Sequence, residues 1–301
     1  MRTLLIATKA QTGKVLATLG CLLAFLSTSL GGEILNIEGS PAVNLPVSDA
    51  AQILRSGSTM EIHINTNGGS NAGISALGDR VAQIAMSTRG VTAEDRSDSP
   101  EFVFKEIYLG QQLVALGVSK DVWDGGVRAM SRNQLRGLYD GRIKNWKQLG
   151  GPDMPIVFYN ADEGRGVWEV FIDWIYGDSK RAPLGHFPMV LGNDEARNSV
   201  EYTHGSMALL SPKFIDGQTI YALALEGDDK KAYFPVMANI INGKYPLMKP
   251  MYLIVDERPM RAVKTVVDFM LGKQGRELMN KYGYYPVDEI KAVAPDFEPP
   301  K

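Results

Sequence analysis

Short apolar segments alternate with glycine-containing loops and helical segments along the first third of the chain. Two of these loops, Gly39-Ser40-Pro41 and Thr66–Ser70, each join a predicted strand to a predicted helix. This order predicts an α/β fold in which helices cover the faces of a sheet. Ligands of such sheets lie beyond the carboxyl ends of the strands, where helix N-termini present unpaired N–H groups that favour an anion. The predicted elements are the strands Glu33–Glu38, Met60–Asn65 and Gln83–Ser87 and the helices Val47–Leu54 and Ala72–Leu77.

The same alternation continues through the rest of the chain. The long apolar stretch Tyr108–Val118 is predicted to be strand-like and to carry the chain into a second lobe. Apolar residues three and four apart mark the later helices. The remaining predicted elements are the strands Pro155–Tyr159, Ser206–Leu210 and Tyr252–Val255 and the helices Asn133–Tyr139, Val167–Tyr176, Arg261–Leu271 and Gln274–Tyr282.

The N-terminal segment has the pattern of a secretory signal. Its charges are all positive, at Arg2, Lys9 and Lys14. The apolar run Val15–Leu26 follows them, so we predict a signal peptide over residues 1–31, cleavage near residues 29–32 and a periplasmic location. An uncleaved anchor stays an alternative, because the uncharged stretch Val15–Gly32 has 18 residues, the lower limit for a membrane span.

Composition and rare residues exclude several classes of protein. The 32 basic and 34 acidic residues give a net charge of −2, which leaves no excess of positive charge for the phosphates of a nucleic acid. The single cysteine, Cys21, excludes an internal disulfide and a thiolate metal cage. A lipid anchor at Cys21 is disfavoured because the apolar run continues past it. The histidines His63, His186 and His204 show no ligand spacing, so neither a metal site nor a cofactor is predicted.

Six segments of the sequence match, in order, the motifs of one known family. They are GSPAV (Gly39–Val43), GGSNAGI (Gly68–Ile74), IAMSTR (Ile84–Arg89), LRGLYDGRIKNWKQLGG (Leu135–Gly151), YPLMKPMYLIV (Tyr245–Val255) and GRELMNKYGYYPV (Gly275–Val287). With these segments the chain resembles the phosphate-binding proteins of ABC transporters. The resemblance implies a periplasmic-binding-protein type II clamshell, in which two α/β lobes surround a cleft. Residues 32–112 and 245–301 are expected to form lobe 1, and residues 113–244 lobe 2.

The resemblance also implies a set of ligand-binding residues. In that family, hydroxyls, backbone N–H groups, one arginine and one aspartate hold a phosphate, and the acid accepts the proton that distinguishes hydrogen phosphate from sulfate. Ser70 retains the serine of the GGS loop, and the N–H groups of Ala42 and Val43 are expected to donate to the ligand. The full predicted set is Ser40, Ala42, Val43, Ser70, Gln83, Arg165, Gly166 and Val167.

Several of these positions depart from the family pattern. One arginine, one aspartate and three hydroxyl groups are missing. The replacements are Ala42 for Thr, Gln83 for Asp and, in the motif aligned by Gly164, Gly166 and Phe171, Ala161 for Arg, Arg165 for Ser and Val167 for Thr.

The replacements allow two interpretations of Arg165. In the first, its guanidinium supplies the positive charge from a new position while Gln83 removes the negative one, which favours an anion without a proton, such as a sulfate-like oxyanion or a carboxylate. In the second, Arg165 pairs with Asp162 or Glu163 in solvent, and the cleft binds no phosphate. Nothing in the sequence separates these two expectations.

Two residues outside this set follow a buried strand and are candidates for the cleft, namely Ser87 and Arg89. For Arg89 we favour a structural role, because an arginine after a strand often ties a neighbouring loop. Trp146, in the Asn-Trp pair of the mid-chain motif, is expected to pack inside the second lobe.

The predicted function is capture of a small oxyanion, phosphate or a related anion, for an inner-membrane ABC transporter permease. The alternative is an accessory or sensory binding protein with an eroded phosphate site that signals to a membrane receptor. An enzyme is disfavoured, because Ser70 has no neighbouring histidine in sequence and the Gly68–Ser70 loop lacks the lysine of a P-loop. A monomer without a nucleic-acid partner is expected.

Overall fold

The computed structural model describes residues 33–161, 166–177 and 187–299. The predicted signal peptide over residues 1–31, with Cys21, lies outside the described residues. The strands and helices are β1 (Ile34–Gly39), α1 (Pro41–Ser56), β2 (Glu61–Asn65), α2 (Gly69–Gly78), β3 (Ile84–Ser87), α3 (Ala93–Asp98), β4 (Phe104–Leu113), β5 (Ala115–Ser119), α4 (Lys120–Asp124), β6 (Ala129–Met130), α5 (Arg132–Tyr139), β7 (Val157–Ala161), α6 (Gly166–Tyr176), β8 (Met189–Val190), α7 (Asn193–Tyr202), β9 (Ser206–Leu210), β10 (Ile220–Ala222), β11 (Ala224–Glu226), β12 (Ala232–Tyr233), α8 (Met237–Ile241), β13 (Met248–Asp256), α9 (Arg261–Leu271), α10 (Lys273–Lys281), β14 (Tyr285–Pro286) and α11 (Val287–Val293).

Two main sheets organise the part of the chain that is described. The first has the strand order β14-β4-β13-β3-β1-β2, and β1 runs parallel to both β2 and β3. The second has the order β10-β5-β9-β7-β8, and a three-stranded sheet, β12-β11-β6, accompanies it. Helices alternate with these strands, so the predicted α/β fold is confirmed. Strand β13 returns to the first sheet, which therefore contains residues from both ends of the sequence.

The strand-like apolar stretch Tyr108–Val118, predicted to carry the chain into a second lobe, contains parts of two strands. Strand β4 ends at Leu113 in the first sheet, and β5 begins at Ala115 in the second. Between them, the N–H group of Val114 donates to the carbonyl oxygen of Leu247, just before β13 begins. Two chain segments therefore lie side by side where the sheets meet.

Helix α1 begins six residues before the predicted helix, and its first residues explain why. Ser40 is the N-cap, and its Oγ accepts the N–H of Ala42 at 3.2 Å, while Pro41 occupies the first turn, where its missing N–H costs nothing. Gly39 has φ +139°, and a Cβ there would lie 2.0 Å from the carbonyl oxygen of Met86. Only glycine fits between β1 and β3 at this point.

The two largest apolar cores of the described residues support the sheets. One packs β1, β3 and β13 against α1, α9 and α10, with Val43 and Val263 inside it. The other surrounds the second sheet and contains Trp146, Phe158 and Phe171. Trp146 is fully buried, and its indole N–H donates to the carbonyl oxygen of Gly205 at 2.8 Å. The predicted packing role of Trp146 is confirmed.

Candidate functional site

A cavity of about 580 Å³ opens where the loops of the first sheet face helix α6. We call it the cleft. Its loop side lies beyond the carboxyl ends of the parallel strands β1, β2 and β3, the position expected for a ligand of an α/β sheet. The lining residues are Pro41, Thr66, Asn67, Gly68, Gly69, Ser70, Asn71, Thr88 and Arg89 on the loop side, with Trp168, Glu169 and Asp173 from α6 and Lys249 from β13.

The N-terminus of α2 forms part of the loop side. Its N-cap residue is Gly68, and no side chain caps the first turn. The first N–H groups of a helix have no partner within it, and they carry the positive end of the helix dipole. Because Gly68, Gly69, Ser70 and Asn71 all line the cleft, this helix end offers it hydrogen-bond donors and partial positive charge.

Two hydroxyl groups lie together beside this helix end. Ser70 Oγ accepts the backbone N–H of Thr88 at 3.0 Å and lies 3.2 Å from Thr88 Oγ1. The pair links α2 to the residue that follows β3. The structure thus places Ser70 in the cleft and adds Thr88, which sequence reasoning missed although it lies inside the matched segment Ile84–Arg89.

Arg89 lines the cleft, but its guanidinium is already engaged. It makes two hydrogen bonds to the carboxylate of Asp95, at 2.6 and 3.0 Å, and two to Asn71 Oδ1, at 3.0 and 2.7 Å. The Arg89 hydrogen bonds, together with those from Thr92, lower the pKa of Asp95 to about 2. Arg89 therefore ties α3 to the first turn of α2, which confirms the structural role predicted for it.

The α6 side of the cleft carries two carboxylates and one ammonium group. Lys249 Nζ lies 2.5 Å from Asp173 Oδ2 and 3.8 Å from Glu169 Oε1. Ser40 Oγ donates to Glu169 Oε2 at 3.5 Å. Burial raises the pKa of Glu169, and the nearby charge of Lys249 opposes that shift. None of these three charged residues was predicted as part of the site.

The first loop does not offer the donors that the sequence led us to expect. The N–H of Ser40 donates to the carbonyl oxygen of Met86 at 2.8 Å. The N–H of Ala42 donates to Ser40 Oγ, and that of Val43 to the Ser40 carbonyl oxygen at 3.2 Å. Ala42 and Val43 are fully buried. Their N–H groups are used within the loop and are not free to hold an anion in this conformation.

Gln83 lies away from the cleft. Its Oε1 accepts the N–H of Asn36 at 2.8 Å, and it lines a separate cavity of about 220 Å³ beside Phe102 and Asp256. The cause is its place in the sheet: Gln83 precedes β3, whereas the cleft lies beyond the other end of that strand. The structure therefore does not bring Gln83 together with Ser70, and Gln83 is not a residue of the cleft.

Gly166 and Val167 begin helix α6 beside the first loop. A Cβ on Gly166 would lie 2.4 Å from the Cα of Ala42 and 2.9 Å from Nε2 of Gln112, so these segments are in direct contact. Val167 is buried and, with Gly166, lines a third cavity of about 390 Å³ instead of the cleft. Arg165 lies outside the described residues, and both interpretations of it stay predictions.

Histidine and carboxylate groups show no metal geometry in the ranges that the structure covers. His63 Nε2 lies 3.1 Å from Glu61, and His204 Nδ1 lies 2.9 Å from Asp121 Oδ2. Over the same ranges, no group of three or more His, Cys, Asp or Glu side chains is arranged to hold a metal ion. Nor is any described helix long and apolar enough to cross a membrane. His186 lies outside the described residues.

A curated relative is similar in sequence over most of the chain. The phosphate-binding protein PstS of Bacillus subtilis is 25% identical over 266 residues, which cover 86% of this chain and 82% of that protein. This likeness agrees with the resemblance that the six sequence segments carry.

Solved structures show the same fold. A possible phosphate-binding protein from Planctomyces limnophilus superposes with a TM-score of 0.74 at 18% identity, covering 87% of this chain and 96% of that one. An ABC-type phosphate transport receptor from Vibrio cholerae gives a TM-score of 0.60 at 24% identity, covering 83% and 98%. The predicted two-lobed clamshell is confirmed. The model of the PBP superfamily domain matches residues 12–274, most of the sequence, and the chain therefore belongs to the PBP superfamily.

Proposed function

We propose that this protein is a periplasmic solute-binding protein that captures a phosphate-class oxyanion in the cleft and delivers it to an inner-membrane ABC transporter permease. The names of its relatives support the ligand class, since both the Bacillus subtilis protein and the Vibrio cholerae receptor are named for phosphate. The protein acts as a monomer, and its ligand is a small molecule.

One observation carries the proposal: the uncapped N-terminus of α2 meets two hydroxyl groups at the cleft. The N–H of Gly69 already donates to the carbonyl oxygen of Thr66 at 3.4 Å. An oxyanion placed there accepts hydrogen bonds from the next N–H groups of the first helical turn, those of Ser70 and Asn71, and from the Ser70 and Thr88 hydroxyls. Hydrogen bonds to a charged acceptor are roughly twice as strong as those between neutral groups. The helix dipole adds favourable charge without bringing a counter-ion.

The two-lobe arrangement supplies the movement that capture needs. We assign residues 32–112 and 245–301 to lobe 1 and residues 113–244 to lobe 2, and the division between the two main sheets supports these limits. The crossings near Val114 and Leu247 lie side by side and act as the hinge. The N-terminal pattern supports export, with residues 1–31 as the signal peptide. N-terminal sequencing of the protein recovered from the periplasm should begin near residues 29–32.

Calorimetry and thermal denaturation test the ligand class. Phosphate, sulfate, methylphosphonate and acetate are titrated separately into the purified protein. We expect phosphate or methylphosphonate to bind and to raise the unfolding temperature, because a ligand at 100 times its Kd stabilises the folded state by about 2.7 kcal/mol. Binding of acetate alone, or of none of the four anions, would contradict the proposal.

A second candidate function, that of an accessory or sensory protein with an eroded site, has its own observation. The N–H groups of Ala42 and Val43 are used within the first loop, and Gly166 packs against Ala42 where the ligand-binding residues were expected to converge. For this candidate, none of the four anions changes the unfolding temperature, and the protein is instead retained by a receptor in solubilised inner membranes.

A further inference from the structure

The two sides of the cleft differ in charge. On the loop side, the N-terminus of α2 provides partial positive charge, while the Arg89 guanidinium is balanced by the carboxylate of Asp95. On the α6 side, Glu169 and Asp173 face the single ammonium group of Lys249. With both carboxylates ionised, the described groups on that side carry one net negative charge. A free phosphate dianion would meet donors on one side and a carboxylate on the other.

Of the two carboxylates, Glu169 has the more distant positive charge and the weaker hydrogen bond. Lys249 lies 2.5 Å from Asp173 but 3.8 Å from Glu169, and the Ser40 hydroxyl reaches Glu169 only at 3.5 Å. The Glu169 side chain is 19% exposed, so little water replaces the missing partners. Burial accordingly raises its pKa. A cationic group supplied by a ligand would stabilise this carboxylate, since a buried charge is costly unless it is paired.

The size of the cleft also exceeds what a five-atom phosphate requires. Its volume of about 580 Å³ lies inside the range of roughly 300–1,000 Å³ that is typical of pockets for larger organic ligands. A ligand that reaches from α2 to α6 therefore has room for a short linker between two polar ends.

We propose that the ligand is a zwitterion, an aminoalkyl phosphate or phosphonate, whose phosphorus group binds at the N-terminus of α2 and whose ammonium group pairs with Glu169. This inference rests on the proposed function, because the anionic end uses the same N–H and hydroxyl groups. Asp173 stays paired with Lys249, which holds the α6 side in place. The charge distribution of the ligand is then opposite to that of the cleft.

Calorimetry with two matched probes tests the proposal. Phosphoethanolamine and ethyl phosphate differ by one ammonium group, and inorganic phosphate serves as the reference. We expect phosphoethanolamine to bind at least tenfold more tightly than ethyl phosphate, a difference of about 1.4 kcal/mol. Equal affinity of the two esters would overturn the zwitterion while leaving the proposed function in place. Absence of binding by all three probes would overturn both.

Variants test whether Glu169 is the carboxylate that pairs with the ammonium group of the ligand. Glu169→Gln keeps the size of the side chain and removes its charge, so we expect the two esters to bind it with equal affinity. Glu94→Gln, on the exposed surface of α3, is the matched control and should keep the tenfold preference. If Glu169→Gln fails to fold, Asp173→Asn provides the second test: with Lys249 released to pair with Glu169, the preference should fall at least threefold. A preference retained in full by the folded Glu169 variant, or by the Asp173 variant in its place, would overturn the proposal.

Discussion

Gly166, the first residue of α6, lies so close to Ala42 that a Cβ on the glycine would be 2.4 Å from the Ala42 Cα. The neighbouring atom is backbone and belongs to the start of α1, so it cannot rotate away. This contact joins α6 to the first loop, Gly39-Ser40-Pro41, and the start of α1. The two segments are therefore in contact at the place where the sequence predicted an anion bound between them.

Substitution of this glycine should therefore weaken the contact between α1 and α6. We expect Gly166→Ala to lower the free energy of unfolding by about 1–3 kcal/mol, the usual cost of an extra methyl group in a packed interior. Urea denaturation measures the change. Gly192→Ala is the control, because a Cβ there would meet no atom within 4 Å. Equal stability of the two variants would contradict the close contact.

The Ser70 hydroxyl should contribute directly to anion binding. We expect Ser70→Ala to lose at least tenfold in affinity for the anion that binds, because the substitution removes a donor and releases the N–H of Thr88. Calorimetry gives the affinity. Ser75→Ala, on the exposed face of the same helix, should bind like the unmodified protein. A similar loss in both variants would indicate damage to α2 rather than loss of a ligand contact.

Asp95 should make the protein less stable in acid. Because the Arg89 hydrogen bonds lower its pKa from 3.8 to about 2, the unfolded chain takes up a proton before the folded one does as the pH falls. The stabilisation is thus complete above the unfolded pKa and is lost as the pH drops towards 2. Asp95→Asn should be less stable at pH 7 and should lose less stability between pH 4 and pH 2. Urea denaturation across this range, with Asp98→Asn as control, provides the measurement.

Gln83 should affect stability and not binding. Gln83→Ala leaves the N–H of Asn36 without its acceptor, and we expect a loss of about 1–3 kcal/mol in the free energy of unfolding. Affinity for the anion should be unchanged, because the side chain lies at the opposite end of β3 from the cleft. A variant with unchanged stability and weakened binding would return Gln83 to the ligand site.

Much of the fold could be predicted from the period of the apolar residues. The strand Ser206–Leu210 and the helix Arg261–Leu271 have the predicted limits. Strands of two residues, such as Ala129–Met130 and Tyr285–Pro286, were missed because so short a segment has no period to detect. The crossing between sheets was predicted within the stretch Tyr108–Val118, but its exact position at Val114 was hidden, since both halves are buried and no polar residue separates Leu113 from Ala115.

The candidate site was predicted only in part. Ser70 could be placed because glycines and a strand end mark its loop in the sequence. Glu169 and Asp173 could not, because acidic residues on an amphipathic helix ordinarily face solvent. Their role depends on Lys249, which is 76 residues from Asp173 in the chain. Gln83 was misplaced because the family motif was followed although Gln83 begins the predicted strand Gln83–Ser87, at the end opposite to the carboxyl end where a ligand is expected.

Strand β13 sits between β3 and β4, although the entire second sheet separates it from both in the sequence. During synthesis on the ribosome, the first sheet consequently lacks the strand between β3 and β4 until residues 248–256 have been added. A product of premature termination would display two unpaired strand edges, which invite aggregation and proteolysis. The late position of β13 therefore delays completion of the sheet that carries the loops of the cleft until about residue 256 of the 301 has been synthesised.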